Sequence, residues 1–345
     1  MKQIIFTFIS LCLLTPANAK SDAVHCLGNG QMLVYERQSD ILQLIGNPYS
    51  TPSTFSLQLP GGYEVVSERE KGGAIWTHRI SKDGVAVAEI TDFVVSGMPC
   101  FVRKINAFQA FHYRSVLLTE DVTDIRAEYA IGLQSALLMK TPRGTPFYND
   151  YPLINNLYNR FLTIGSLSLH GDKLLVERGE GVLYVTGGLY PDCSETATAV
   201  LNAPYNDLLQ QTRLYWADFT ARRRDFGSLI PQNAPQRDKL LQTIDDVSVM
   251  LKCQQANEGA VIAGYNYHLG YVRDQYGVSR GLLALGYADE ARQILDFYYR
   301  IWCKEGKIQN AQGVGNFAFH VHENDNVEIT GYLLVQAFDY LQSTG

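Results

Sequence analysis

The sequence predicts a mixed fold in which a large antiparallel β-sandwich comes first and antiparallel helical hairpins follow. Three observations carry this expectation. From Lys20 to about Asp192 the chain runs as short, often alternating segments rich in β-branched and aromatic residues, separated by Gly, Pro, Asn and Asp. Around residue 193 the rhythm changes, and from residue 235 onward apolar residues recur at a helical period. There is no low-complexity segment and no short repeat.

Taken in order, the first segments include "QMLVYE", "DILQLIG", "TFSLQLP", "AIWTHRIS", "GVAVAEITDFVV", "CFVRKINAF", "GSLSLHG", "KLLVERGE" and "GVLYVTGG". Asp83-Gly84 carries a two-residue hairpin signal, and His170-Gly171-Asp172 marks another turn. At least ten such strands, with turns between them and no long helical pattern, point to an antiparallel sandwich. Leu208, Leu209, Tyr215, Trp216 and Phe219 then predict a linker helix over about 205–222, which breaks before "IPQNAP". The next helix starts near Pro235, with Leu240, Leu241, Ile244, Val247 and Leu251 on one face. "GVSRGLLALGY" predicts another. "ADEARQILDFYYRIWCK" predicts a third, with acids in its first turn and Arg300 and Lys304 at its end, as the helix dipole favours. "NVEITGYLLVQAFDYLQ" predicts a fourth.

Residues 1–19 read as an export signal. Lys2 gives a positive start, Ile4 to Leu14 form an apolar run too short to span a bilayer comfortably, and Ala17-Asn18-Ala19 has the pattern of a signal peptidase site. The mature protein is therefore expected to begin at Lys20, exported to a periplasm or the medium and not held in a membrane. Of the 345 residues, 46% are hydrophobic and 19% charged, as in folded proteins. A net charge of −6 with no basic run argues against nucleic acid as a partner. Cys26, Cys100, Cys193, Cys253 and Cys303 are spaced too widely for a metal motif; two disulfides or none are possible, and structural or buried thiols are expected.

The chemistry concentrates in "GYNYHLGYVRDQYGVSRGLLALGYADEARQIL", residues 264–295. Tyr265, Tyr267 and Tyr271 precede an adjacent cation and anion, Arg273 and Asp274, at the start of a helix. Tyrosine offers a flat apolar face plus a hydroxyl, which suits sugar rings and also any β-rich protein. The plainer reading is a local ion pair with Asp274 as N-cap. A second cluster, "HVHENDNVEITGY", crowds His320, His322, Glu323, Asp325 and Glu328 together. Its spacing completes no facial triad on a regular helix, so no metal and no cofactor is expected. Asp325 and Glu328 instead have the spacing of a capping box. The pairs Asp245-Asp246 and Asp289-Glu290 read as solvated helix faces.

The Tyr-rich stretch, Arg273-Asp274 and the following "ALGYADEA" resemble the start of the helical domain of glucoamylase-type glycoside hydrolases, family 15 of the six-hairpin group. The order of parts is similar too, and "LGNGQMLVYERQSDILQLIGNPYS" is similar to the opening strand pair of such sandwiches. One departure is Tyr271, where the family often has Trp. The resemblance implies an N-terminal antiparallel β-super-sandwich over 20–192, a linker with a helix over 193–234, and the beginning of an (α/α)6 toroid over 235–345. It implies that Arg273 and Asp274 bind sugar hydroxyls, that Tyr265, Tyr267 and Tyr271 line the same subsite, and that Glu323 or Asp325 comes near it. The implied activity is inverting hydrolysis of an α-glucoside-like oligosaccharide or polysaccharide by two carboxylates. In the family these come from later toroid helices, so the chain is expected to be a truncated form that lacks them, with no catalytic residue assigned. The alternatives are a non-catalytic carbohydrate-binding protein or gene fragment, and a sugar phosphorylase, which an export signal disfavours.

Overall fold

The computed structural model describes residues 23–51, 53, 55–117, 125–128, 132–140, 157–314 and 329–345. Strands come first: β1 (Val24–Gly28), β2 (Met32–Arg37), β3 (Asp40–Gly46), β4 (Phe55–Gln58), β5 (Glu64–Arg69), β6 (Ile75–Lys82), β7 (Val85–Val94), β8 (Cys100–Ala107), β9 (Phe111–Leu117), β10 (Ile125–Glu128), β11 (Ser135–Lys140), β12 (Leu157–His170) and β13 (Lys173–Leu189). They form one 13-stranded antiparallel sheet with the order β1-β2-β3-β4-β9-β13-β8-β7-β6-β5, from which β12, β11 and β10 branch at β13. The Asp83-Gly84 hairpin forms as the sequence predicts, with φ of 51° and 77° at the two turn residues. That left-handed pair matches the twist of the strands it joins.

Alternation along each strand builds two cores. Met32 and Val34 on β2, Phe101 and Ile105 on β8, and Leu183 and Val185 on β13 share the inner core of the curled sheet. Their neighbours Leu33 and Tyr35, Cys100 and Val102, and Val182 and Tyr184 join the core that the helices cover. Side chains along a strand point to opposite faces by turns, so one sheet can bury both.

The helices are α1 (Tyr190–Asn202), α2 (Tyr205–Ala221), a single turn α3 (Phe226–Leu229), α4 (Arg237–Gln254), α5 (Val272–Leu285), α6 (Ala288–Glu305) and α7 (Ile329–Thr344). None of the described helices is long and apolar enough to cross a membrane. A short hairpin, β14 (Leu269–Tyr271) with β15 (Ala311–Gly313), precedes α5 and follows α6. The β-rich part ends at Leu189, and the expected boundary at residue 192 falls inside α1, which the sequence reading missed. In α1, Cys193, Ala197 and Val200 form a narrow buried stripe among polar residues, a weak helical signal. Helix α2 buries Leu208, Leu209, Trp216 and Phe219 as expected.

Helix α4 departs from its expected face. It buries Asp245, Ser248, Val249 and Cys253, while Val247 is exposed. The reason is electrostatic. Asp245 Oδ2 accepts from Arg69 Nη2 at 2.6 Å and from the Gly72 amide at 2.9 Å, and Oδ1 accepts from Arg223 Nη1 at 2.8 Å. Two guanidinium groups let a carboxylate take a core position. Glu290 is likewise buried, paired with Arg222 at 2.7 Å and Lys252 at 3.4 Å. Asp245 and Glu290 therefore tie elements together, and of the two acidic pairs only Asp246 and Asp289 face solvent. Among the described residues no cysteine is in a disulfide; four are buried, but Cys303 is exposed, beside Trp302 on the outer face of α6.

Candidate functional site

The Tyr-rich stretch links the sheet to α5. The Gly264 and Tyr267 backbones bond to each other in both directions, at 3.3 and 3.0 Å, and leave Tyr265 and Asn266 at the tip of a two-residue turn. Gly264 sits at φ 152°, a left-handed value that favours glycine. The chain then enters β14, which pairs Tyr271 with Ala311, and passes directly into α5 with Tyr271 at the N-cap.

Several buried polar groups fix this geometry. His268 Nε2 lies 3.0 Å from Gln43 Oε1 on β3 and 3.0 Å from the Tyr265 carbonyl. Ser50 Oγ donates to the His268 carbonyl at 2.6 Å and accepts from the Val314 amide at 2.5 Å. Gln275 on the first turns of α5 clasps the Val261 peptide, accepting from its N–H at 2.9 Å and donating to its carbonyl. Tyr49 accepts from the Gly30 amide and donates to the Cys253 carbonyl, both at 2.7 Å, joining sheet to α4. The sequence reading missed Gln275, His268, Ser50 and Tyr49. Most of their partners are backbone atoms, and those of Ser50 and the Cys253 partner of Tyr49 lie more than 200 residues along the chain, which no local spacing reveals.

Against this frame the expected residues sort clearly. Tyr265 is half-buried and meets Tyr35 edge-on, with ring centroids 5.4 Å apart. It is a packing residue as well as a candidate wall. Tyr267 is 53% exposed, and its ring stands edge-on to Tyr271 at 6.3 Å. Arg273 and Asp274 are exposed in the first turn of α5, and among the described residues neither side chain is in an ion pair. Asp274 is not the N-cap; it occupies the third helical position, where a carboxylate still complements the positive end of the helix dipole. Partial burial pushes the Asp274 carboxyl up, against the opposing effect of Arg273 and of its own backbone amide. Near it lies Tyr298 on α6, a buried hydroxyl with no hydrogen-bond partner among the described residues, whose pKa is raised by burial and by Asp274. Tyr298 reads in the sequence as one more apolar position of α6. Glu323, Asp325, the histidines at 320 and 322, and the expected capping box lie outside the described residues.

A cleft of about 500 Å³ lies elsewhere, lined by Arg223, Asp225, Phe226, Asp238 and Asp245 at the α3–α4 corner. It contains none of the tyrosines or Arg273-Asp274, and its buried Asp245 is already paired.

No protein-family model matches the chain, and no curated protein matches it in sequence. Among solved structures it is similar to a bacterial glucoamylase complexed with acarbose, with a TM-score of 0.65 over 95% of this chain at 13% identity. The fold is glucoamylase-like. The match spans 56% of that glucoamylase chain, so this chain covers a little over half of its length.

Proposed function

We propose that the chain is the sugar-binding part of an exported glycoside hydrolase of the glucoamylase type, related to family 15, acting on an α-glucoside-like oligosaccharide. The observation that carries this reading is the exposed Arg273-Asp274 pair at the head of α5, beside the Tyr267 and Tyr271 rings, in a glucoamylase-like fold. An exposed guanidinium and carboxylate that form no ion pair among the described residues can both be used on sugar hydroxyls, where charge-assisted bonds are stronger than neutral ones. Tyrosine faces supply the apolar contact.

In this reading the curled sheet is a β-super-sandwich, and α4 to α7 begin an (α/α)6 toroid. Leu334, Phe338 and Leu341 form an exposed apolar stripe on α7, which fits a helix that packs on further helices. The reaction would be inverting hydrolysis by an acid and a base roughly 6.5–9.5 Å apart. No described residue is assigned to either role, and Glu323 and Asp325 keep their proposed place near the sugar. Export rests on the signal-like residues 1–19.

Calorimetric titration with acarbose tests the reading. Binding should weaken more than about tenfold in Arg273→Ala and in Asp274→Ala, as loss of charged hydrogen bonds implies. Equal affinity in wild type and both variants would remove the pair from the sugar site.

A further inference from the structure

The inner face of the sheet is largely apolar, but it carries one cluster of ionisable side chains. There His25 on β1, Glu36 on β2, His78 on β6, Asp92 on β7 and Arg103 on β8 meet. Glu36, His78, Asp92 and Arg103 have fully buried side chains, and His25 is 13% exposed. The curl of the sheet makes this possible, because it brings β1 and β2 against β7. Two carboxylates and one guanidinium leave a negative charge unbalanced in a low-dielectric interior. A further positive charge is needed there, from a bound cation or from a protonated histidine.

The orientation of the groups says where it would sit. Arg103 grips Asp92 through Nε at 2.9 Å and Nη2 at 2.6 Å, and reaches Glu36 Oε1 at 3.4 Å. The other oxygen, Glu36 Oε2, faces both histidines, 3.1 Å from His25 Nε2 and 3.5 Å from His78 Nε2. His78 Nδ1 is engaged by Ser67 Oγ at 2.8 Å, while its buried Nε2 lies 3.2 Å from Asp92 Oδ2 and makes no hydrogen bond of acceptable geometry among the described residues. The Trp76 ring stacks on His25 at 3.7 Å and fixes its plane.

We propose that His25 Nε2, Glu36 Oε2 and His78 Nε2 form a binding site for a divalent transition metal of the zinc class, with Asp92 Oδ2 as its neighbour. One donor atom from each of the three residues lies within 4.8 Å of the others. Tetrahedral zinc with bonds of about 2.0–2.1 Å separates its ligand atoms by roughly 3.3 Å, close to the spacings here. Two imidazoles with one carboxylate suit zinc better than calcium or magnesium, which prefer all-oxygen sets. Ser67 and Arg103 act as outer partners that hold the first ligands in orientation. Asp92 Oδ2, 3.2 Å from His78 Nε2, can complete the set. The bound ion would clamp β1–β2 onto β6–β7, and His25 marks its way in. The three ligands come from three strands, so no short motif announces them.

The test is independent of sugar binding. The chelator-treated chain is titrated with zinc and, separately, with cobalt, whose visible absorption reports its coordination. The expected result is one tight site per chain, a tetrahedral-type cobalt spectrum and an upward shift in the thermal unfolding midpoint. His25→Ala, at the partly exposed ligand, should stay folded and weaken zinc at least tenfold; a His320→Ala/His322→Ala variant should bind as wild type does. No stoichiometric binding, or a folded His25→Ala that binds zinc as tightly as wild type, overturns the proposal. The cluster would then be an ion-pair network in which a protonated histidine supplies the missing charge.

Discussion

Replacing Asp245 by Ala should weaken the junction between sheet and helices more than any change of similar size on the surface. Asp245 holds Arg69 at the end of β5, the Gly72 amide in the following turn and Arg223 beyond α2. Its side chain is 3% exposed and that of Arg69 8%. Truncation leaves Arg69 with the half-exposed Asp246, at 2.6 Å, as its carboxylate partner beside the Glu70 and Gly73 carbonyls, and leaves Arg223 and the Gly72 amide without this acceptor. Removing one partner of a buried ion pair costs about 3–5 kcal/mol, and this network falls in that range. The assay is urea unfolding followed by far-ultraviolet circular dichroism and by tryptophan fluorescence, since Trp216 lies in the affected core. The pH dependence gives a second reading. Burial pushes the Asp245 carboxyl up, but Arg69, Arg223 and the Gly72 amide together hold it below the usual carboxylate value. Its contribution is therefore fully present above the unfolded value of about 3.9 and is lost as pH falls through the lower folded value. Wild type should lose more stability in that acid range than Asp245→Ala. A loss below about 1 kcal/mol at neutral pH, with unchanged acid dependence, would refute the reasoning that this network joins the two halves.

Other outcomes follow from the same geometry. Tyr49→Phe keeps the ring but leaves the Gly30 amide and the Cys253 carbonyl unpaired, and should cost about 1–3 kcal/mol in the same unfolding assay. Glu290→Gln should destabilise by about 1–3 kcal/mol, because partly buried Lys252 loses its counter-charge. The raised Asp274 carboxyl protonates at a higher pH than an ordinary aspartate. Acarbose affinity should therefore begin to fall above the usual value of about 3.9 as pH is lowered, and Asp274→Asn should flatten that limb in calorimetry.

Much of the β-then-α order was legible because period-2 and helical patterns are local. Asp83-Gly84 and the face of α2 formed as read, since a turn needs only its own residues and Trp216 and Phe219 have nowhere else to go. The expected faces failed where distant charges intervened. Asp245 and Glu290 look solvated beside their acidic neighbours, and only the folded positions of Arg69, Arg223 and Arg222 show why they are buried. Helix α1 was missed because three small or medium residues make its buried stripe. At the site, Tyr267, Tyr271, Arg273 and Asp274 were legible as a cluster along the chain. The groups that position them, Gln275, His268 and Ser50, work through backbone contacts up to 264 residues away in sequence. The His25–Glu36–His78 cluster depends on the curl of the sheet, which strand patterns do not encode.

The central claim is that Arg273 and Asp274 hold a sugar. The most direct measurement is a crystal structure of the chain soaked with acarbose. The account predicts a ring with hydroxyls about 2.7–3.2 Å from the Asp274 carboxylate and the Arg273 guanidinium, lying against Tyr267 or Tyr271. Acarbose bound at another surface, with this pair left in water, would contradict it.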